Sequence, residues 1–187
     1  MSANAREEIL AAAKLMGQAH GYAGLNFRDL AEEVGIKAAS IYYHFPSKAD
    51  LATAVAKRYW EDDAAYLESL LQNSAKPLDA LRLYPEMFRW ALANDNRICL
   101  CSFMSAQFDD LPDEVKTEVQ AFTDVNVAWL KKTLIAAKIA NPKEAEKRAR
   151  AIYSAIVGAQ LMARSRANIA LYDGLIESYR TAGLLPA

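Results

Sequence analysis

Phe27-Arg28-Asp29-Leu30-Ala31-Glu32-Glu33-Val34-Gly35-Ile36-Lys37-Ala38-Ala39-Ser40-Ile41-Tyr42-Tyr43-His44-Phe45 reads as two short helices joined by a tight turn. Asn26 offers a side-chain cap with Asp29 three residues on, which opens a helix through Val34. Gly35 breaks it, because glycine tolerates the positive φ of a sharp turn. A second helix follows through Phe45, and Pro46 closes it. Leu30, Ala31, Val34, Ile36, Ile41 and Phe45 give the pair a small shared core, with Ala31 short enough for close approach. That burial turns Lys37, Ala38, Ser40, Tyr43 and His44 outward. The exposed set holds a cation, short side chains, a hydroxyl, an aromatic ring and an imidazole, and no acid. Such a face can approach a polyanion and fits a major groove.

Working outward, helix signals recur along the whole chain and strand signals are scarce. Ile9, Ala12, Ala13 and Met16 make a first helical stripe that should end around Gly17 to Gly21. Ser47 and Asp50 repeat the capping pattern and open a long helix from about Lys48 to Gln72. Pro77 suits a first helical position, and Pro85 should kink or shorten the helix it starts. A short apolar stretch from Ile98 to Phe108 precedes Pro112, Asp113 and Glu114, which suit a helix N-terminus. Asn141-Pro142-Lys143-Glu144 combines a cap, a first-position proline and a glutamate, so a further helix should start there and run to about Ala167. The last helix should span Asn168 to Thr181.

Composition narrows the classes. The chain has 187 residues, 53% apolar and 24% charged, enough for a sizeable core. Lysine and arginine number 22 against 23 acids, a formal charge of −1. A strongly basic coat is excluded, so any phosphate contact must come from a local patch. Two cysteines, Cys99 and Cys101, are too few to staple a secreted scaffold. Arg6, Glu7, Glu8 and Lys14 break up the first apolar pattern, which is no signal peptide, and no stretch is long enough to span a bilayer. The expectation is a soluble cytoplasmic protein.

The run Leu30-Ala31-Glu32-Glu33-Val34-Gly35-Ile36, then Ser40-Ile41-Tyr42-Tyr43-His44-Phe45-Pro46-Ser47-Lys48, and Leu51, resembles the DNA-binding domain of the tetracycline-repressor (TetR) family. Its Tyr-x-His-Phe-x-x-Lys centre is quite specific, and the resemblance covers the first quarter of the chain. It implies an all-α protein of about nine helices, with a helix-turn-helix DNA-binding domain at 1–47 and a helical effector-binding and dimerisation domain at 48–187. It implies a DNA-facing set of Arg28, Lys37, Ala38, Ala39, Ser40, Tyr42, Tyr43, His44 and Lys48. Arg28 would reach a base edge or phosphate, and Ala38, Ala39 and Ser40 would face bases. Tyr42, Tyr43 and His44 would touch phosphates or thymine methyls, and Lys48 would bind a phosphate. Lys37 stands where the family often has serine or threonine, and Ala39 where glycine is frequent. Residues 1–50 hold five cations against six acids, so affinity must come from arrangement and from doubling. A dimer would set its recognition helices one DNA turn apart, roughly 34 Å, on a near-palindromic operator.

For the body, a stripe of Ile152, Ala155, Ile156, Ala159 and Ala163 suits either a dimer interface or burial in the protein's own core. The resemblance favours the interface. Phe88, Phe103, Met104, Gln107, Phe122, Asn126, Trp129 and Tyr153 are candidates to line a small-molecule pocket, with plain core as the alternative for each. An effector preferring a splayed state would weaken DNA binding, typically by about 1–3 kcal/mol, and the long helix from Lys48 would carry the movement.

Cys99 and Cys101 read first as small buried apolar residues. The alternative is a thiol sensor of oxidants or electrophiles, with Arg97 favouring thiolate. Side chains two apart on a helix point about 200° from each other, which disfavours a disulfide between them. An enzyme is poorly supported: His20 and His44 both lie in the head, and neither metal-ligand spacing nor a phosphate-binding glycine loop occurs. No cofactor and no metal are expected. The expectation is therefore a homodimeric transcriptional regulator, a repressor released by a small effector, with a helical interaction module that binds no DNA as the remote alternative.

Overall fold

The computed structural model describes residues 3–187, and every regular element among them is helical. The elements are α1 (Ala3–Gly24), α2 (Phe27–Val34), α3 (Ala38–His44), α4 (Lys48–Asn73), α5 (Pro77–Leu83), α6 (Glu86–Ala93), α7 (Leu100–Ser105), a 3-10 turn at Phe108–Asp110, α8 (Asp113–Ala136), α9 (Ala145–Ser165) and α10 (Ile169–Thr181). The all-helical architecture is the expected one. The count reaches ten because Pro85, unable to donate to the ladder, divides one anticipated helix into α5 and α6. The chain forms two compact units, 1–61 with 99–122, and 62–98 with 123–187. Among the described residues no helix is long and apolar enough to cross a membrane.

In the first unit α1 packs on α7 and α2, and α2 packs on α3. Its core draws Ile9 and Ala13 from α1, Leu30 from α2, Ile41 from α3, Leu51, Ala52 and Ala56 from α4, and Leu100, Met104 and Val115 from the later segment, all fully buried. α1 runs on to Gly24 instead of ending near Gly17 to Gly21. Gly21 takes φ 67° and ψ −161° inside it, so the helix kinks and continues. The kink frees the Tyr22 N–H, which donates to Gln107 Oε1 at 2.7 Å.

In the second unit α9 packs on α10 and α6, and α10 on α6. Buried polar groups capture carbonyls around the proline break: the Tyr172 hydroxyl donates to Pro85 O at 2.8 Å, and Gln160 Nε2 donates to Phe88 O at 2.7 Å. Arg89 and Asp173 join α6 to α10 through two bonds of 2.7 and 2.9 Å. Asn141 Oδ1 accepts from the Lys143 and Glu144 N–H groups as a cap should, yet α9 starts only at Ala145. The proline run forms the turn that leads into the helix.

Candidate nucleic-acid interface

The head's geometry is set by short-range bonds. Asn26 Oδ1 accepts from Arg28 N at 2.8 Å and Asp29 N at 3.2 Å, while its amide donates to Asp29 at 2.5 Å. At the other end of α2, Gly35 adopts φ 72°, and Ile36 N donates back to Ala31 O at 2.9 Å. This is the left-handed helix stop that favours glycine. α3 begins at once, with Lys37 as its N-cap and no side-chain cap bond. Ile41 and Phe45 anchor α3 in the core. Ser47 Oγ accepts from Asp50 N at 3.1 Å and donates to its carboxylate at 2.7 Å, which starts α4.

The anchored α3 presents a largely exposed surface. Tyr43 is 72% and Tyr42 56% exposed. Lys37, Ala39 and Arg28 are exposed, and Ala38, Ser40 and His44 half-buried. The Tyr42 ring meets Phe27 of α2 edge-on at 4.6 Å, which restricts its rotamer while leaving the side chain accessible. Tyr43 and His44 are in edge contact at 5.2 Å, and His44 Nε2 is buried without a hydrogen-bond partner. No acid stands between Lys37 and His44.

Lys48 is placed differently from the rest of the set. Its Nζ donates to Ala23 O at 3.0 Å and lies 4.6 Å from the centre of the Tyr22 ring. Burial holds its ammonium below the ordinary lysine value. Lys48 therefore ties the start of α4 to the end of α1. Arg6, which the sequence reading passed over, sits 5.2 Å over the Phe45 ring and braces the end of α3 from α1.

The remaining sequence-derived sites change character. Ile152, Ile156, Ala159 and Ala163 are fully buried within the single chain, and Ala155 is half-buried. The stripe is core, which corrects its assignment to a dimer interface. A buried apolar stripe records that a helix is covered, not by which chain. The outward side of α9 carries Ala151, Ser154, Leu161 and Met162 instead. Of the eight pocket candidates, Phe103, Met104, Gln107 and Phe122 belong to the first unit, and Phe88, Asn126, Trp129 and Tyr153 to the second. Gln107 serves the Tyr22 backbone and Met104 and Phe122 are plain core. Trp129 lines an open groove of about 190 Å³ with Leu67, Val125 and Ala128. Asn126 is fully buried between two polar partners, donating to Asp63 at 2.8 Å and accepting from the Tyr84 hydroxyl at 2.7 Å. The thiols of Cys99 and Cys101 are unbridged and buried, at 2% and 1% exposure, which is the environment of an inert thiol.

Asp63 is the residue the sequence reading missed. Burial pushes its carboxyl up to about 7, against the lowering effect of the Asn126 hydrogen bond. Its signal was available: it precedes Leu67 and Leu70 by four and seven residues, placing an acid on the buried stripe of α4.

Comparison with known proteins bears on both the head and the whole fold. Residues 9–55 match the family described as bacterial regulatory proteins, tetR family. Over 88 residues the chain is 33% identical to the HTH-type transcriptional repressor AcnR of Corynebacterium efficiens, covering 46% of this chain and 45% of that protein. The chain thus spans less than half the length of that relative. The structure of a TetR transcriptional regulator from Legionella pneumophila matches with a TM-score of 0.89 at 27% identity, over 97% of each chain. A TetR-family regulator from Agrobacterium tumefaciens matches at 0.86 and 26% identity, over 94% of this chain and 95% of its own. The head thus matches the tetR family of bacterial regulatory proteins, and the fold is shared from end to end with TetR-family transcriptional regulators.

Proposed function

We propose that the protein is a sequence-specific transcriptional repressor that binds operator DNA as a homodimer and lets go when a small molecule occupies its body. The observation that carries this reading is α3: a core-anchored helix with no acid, exposing Tyr42, Tyr43 and Lys37 beside Arg28. Arg28, Lys37, Ala38, Ala39, Ser40, Tyr42, Tyr43 and His44 form the DNA-facing set. Lys48 acts chiefly by holding α4 against α1. The functional division falls at residue 47, with the head before it and the effector and dimerisation body after it. The outward side of α9, where Ala151, Ser154 and Gly158 are short and Leu161 and Met162 are 44% and 48% exposed, is the surface for the second copy. The site of action is the cytoplasm, and the activity is binding, not catalysis.

Selection of duplexes from random DNA tests the reading. The protein should enrich a near-palindromic site and bind it with an affinity that falls steeply as salt rises. Arg28→Ala and Tyr43→Ala should each weaken the selected complex by about 1–3 kcal/mol and leave helical content unchanged. Failure to enrich any site, or wild-type affinity in the double variant, would remove the head from its role.

A further inference from the structure

The face that α3 turns outward is made of two methyl groups and two phenol rings. Successive residues turn by about 100° around a helix, so Ala38, Tyr42, Ala39 and Tyr43 fall in that order within about 140° of its circumference. Ile41 on the far side is fully buried and holds this face out, with both rings more than half exposed. Groups that bond or carry charge stand beside it. Lys37 is the N-cap residue ahead of the helix, and Ser40 is half-buried beyond Tyr43. The His44 Nε2 is buried.

In a major groove, a base edge is told from its alternatives by bidentate hydrogen bonds or by apolar contact. Side chains for the first kind are missing from α3. Between Phe27 and Lys48 there is no asparagine or glutamine, and the only arginine is Arg28, in the first turn of α2. Asn26 is occupied as the α2 cap, accepting from the Arg28 and Asp29 N–H groups. Apolar contact is left, and the thymine C5-methyl is the apolar group that base edges offer in that groove. The edge-on contact with Phe27 at 4.6 Å holds the Tyr42 ring in place, so little rotamer freedom remains to be lost when it meets a methyl.

We infer that α3 reads the operator through thymine methyl groups, with Ala38, Ala39, Tyr42 and Tyr43 as the residues that decide sequence. The inference rests on the DNA-binding reading above and names what that surface recognises. It carries a further consequence. Cytosine methylated at C5 presents the same group at the same place, so this face accepts it in place of thymine.

The test uses the full chain and the duplex selected from random DNA, whose half-sites should hold thymines at fixed positions. Deoxyuridine in place of thymidine keeps the pairing and removes only the methyl. Affinity should fall about fourfold for each contacted methyl, and more than about tenfold when all are removed together. Exchanging a contacted T·A pair for C·G should weaken binding, and a C5-methyl on that cytosine should restore most of the loss. Tyr42→Phe and Tyr43→Phe keep the rings and should keep the deoxyuridine penalties. Tyr42→Ala and Tyr43→Ala should each erase at least one of them, with helical content and denaturation midpoints recorded beside the titrations. Affinity within about twofold after every thymidine is replaced overturns the inference and leaves the DNA-binding reading standing. Penalties unchanged in both alanine variants overturn it too, since the methyls then act through the shape of the duplex. Penalties lost in the phenylalanine variants assign the reading to the hydroxyls and overturn it as well. If no duplex is ever selected, the DNA-binding reading fails and the inference falls with it.

Discussion

The two charged regions of the molecule are built on opposite plans. In the head, polar groups stand outside and the apolar anchors Leu30, Ile41 and Phe45 hold them there. Around Asp63 the polar groups are inside, in a chain of Asp63, Asn126 and Tyr84 bonds. Exposed groups keep their hydration until a partner arrives, so their loss alters binding and hardly touches stability. Buried ones are desolvated at all times, so their chemistry is coupled to folding.

The largest effect should separate anchors from contacts. Leu30→Ala should cost about 2–5 kcal/mol of stability and lose duplex binding with it, whereas Tyr43→Ala should stay within about 0.5 kcal/mol of the parent. Urea denaturation beside a duplex titration reads both; an equally stable Leu30→Ala protein would break the distinction.

Next comes the buried acid. Asp63 has its pKa raised from 3.8 to about 7, so between those values the folded chain holds a proton that the unfolded chain has released. Stability present near pH 4 should therefore be lost as pH rises to about 7 and level off above it, by an amount on the order of 4 kcal/mol. Asp63→Asn should flatten that part of the profile. Parallel pH profiles for the two proteins would show the carboxyl to be ordinary.

Smaller effects test the local geometry of the head. Gly35 is left-handed, and a Cβ there would meet nothing within 4 Å, so Gly35→Ala isolates backbone strain. It should cost about 1–2 kcal/mol. Asn26→Ala removes the cap of α2 and should cost about 1 kcal/mol. If Asn26→Ala proved the more damaging of the two, the turn would matter less than the cap. Both are measured as shifts in the denaturation midpoint.

The same contrast explains what could be read ahead of the structure. The cap at Asn26, the stop at Gly35 and the box at Ser47 and Asp50 each involve partners within a few residues, so spelling and geometry coincide. The resemblance gives Lys48 a phosphate, and its bond to the Ala23 carbonyl is not legible beside it because that partner lies 25 residues back. Gln107 looked like a ligand contact because its partner, the Tyr22 N–H, lies 85 residues away and is unpaired only through the kink at Gly21.

The amino-acid order alone determined an all-helical chain, a capped helix-turn-helix and an acid-free recognition surface. These follow from periodicity and from bonds that close over one turn. Tertiary structure alone decided that Ile152, Ile156, Ala159 and Ala163 face their own chain, that Asp63 is enclosed with Asn126, and that Cys99 and Cys101 lie inside. Periodicity states that a helix face is covered; which surface covers it depends on side-chain volumes meeting from segments far apart in the chain.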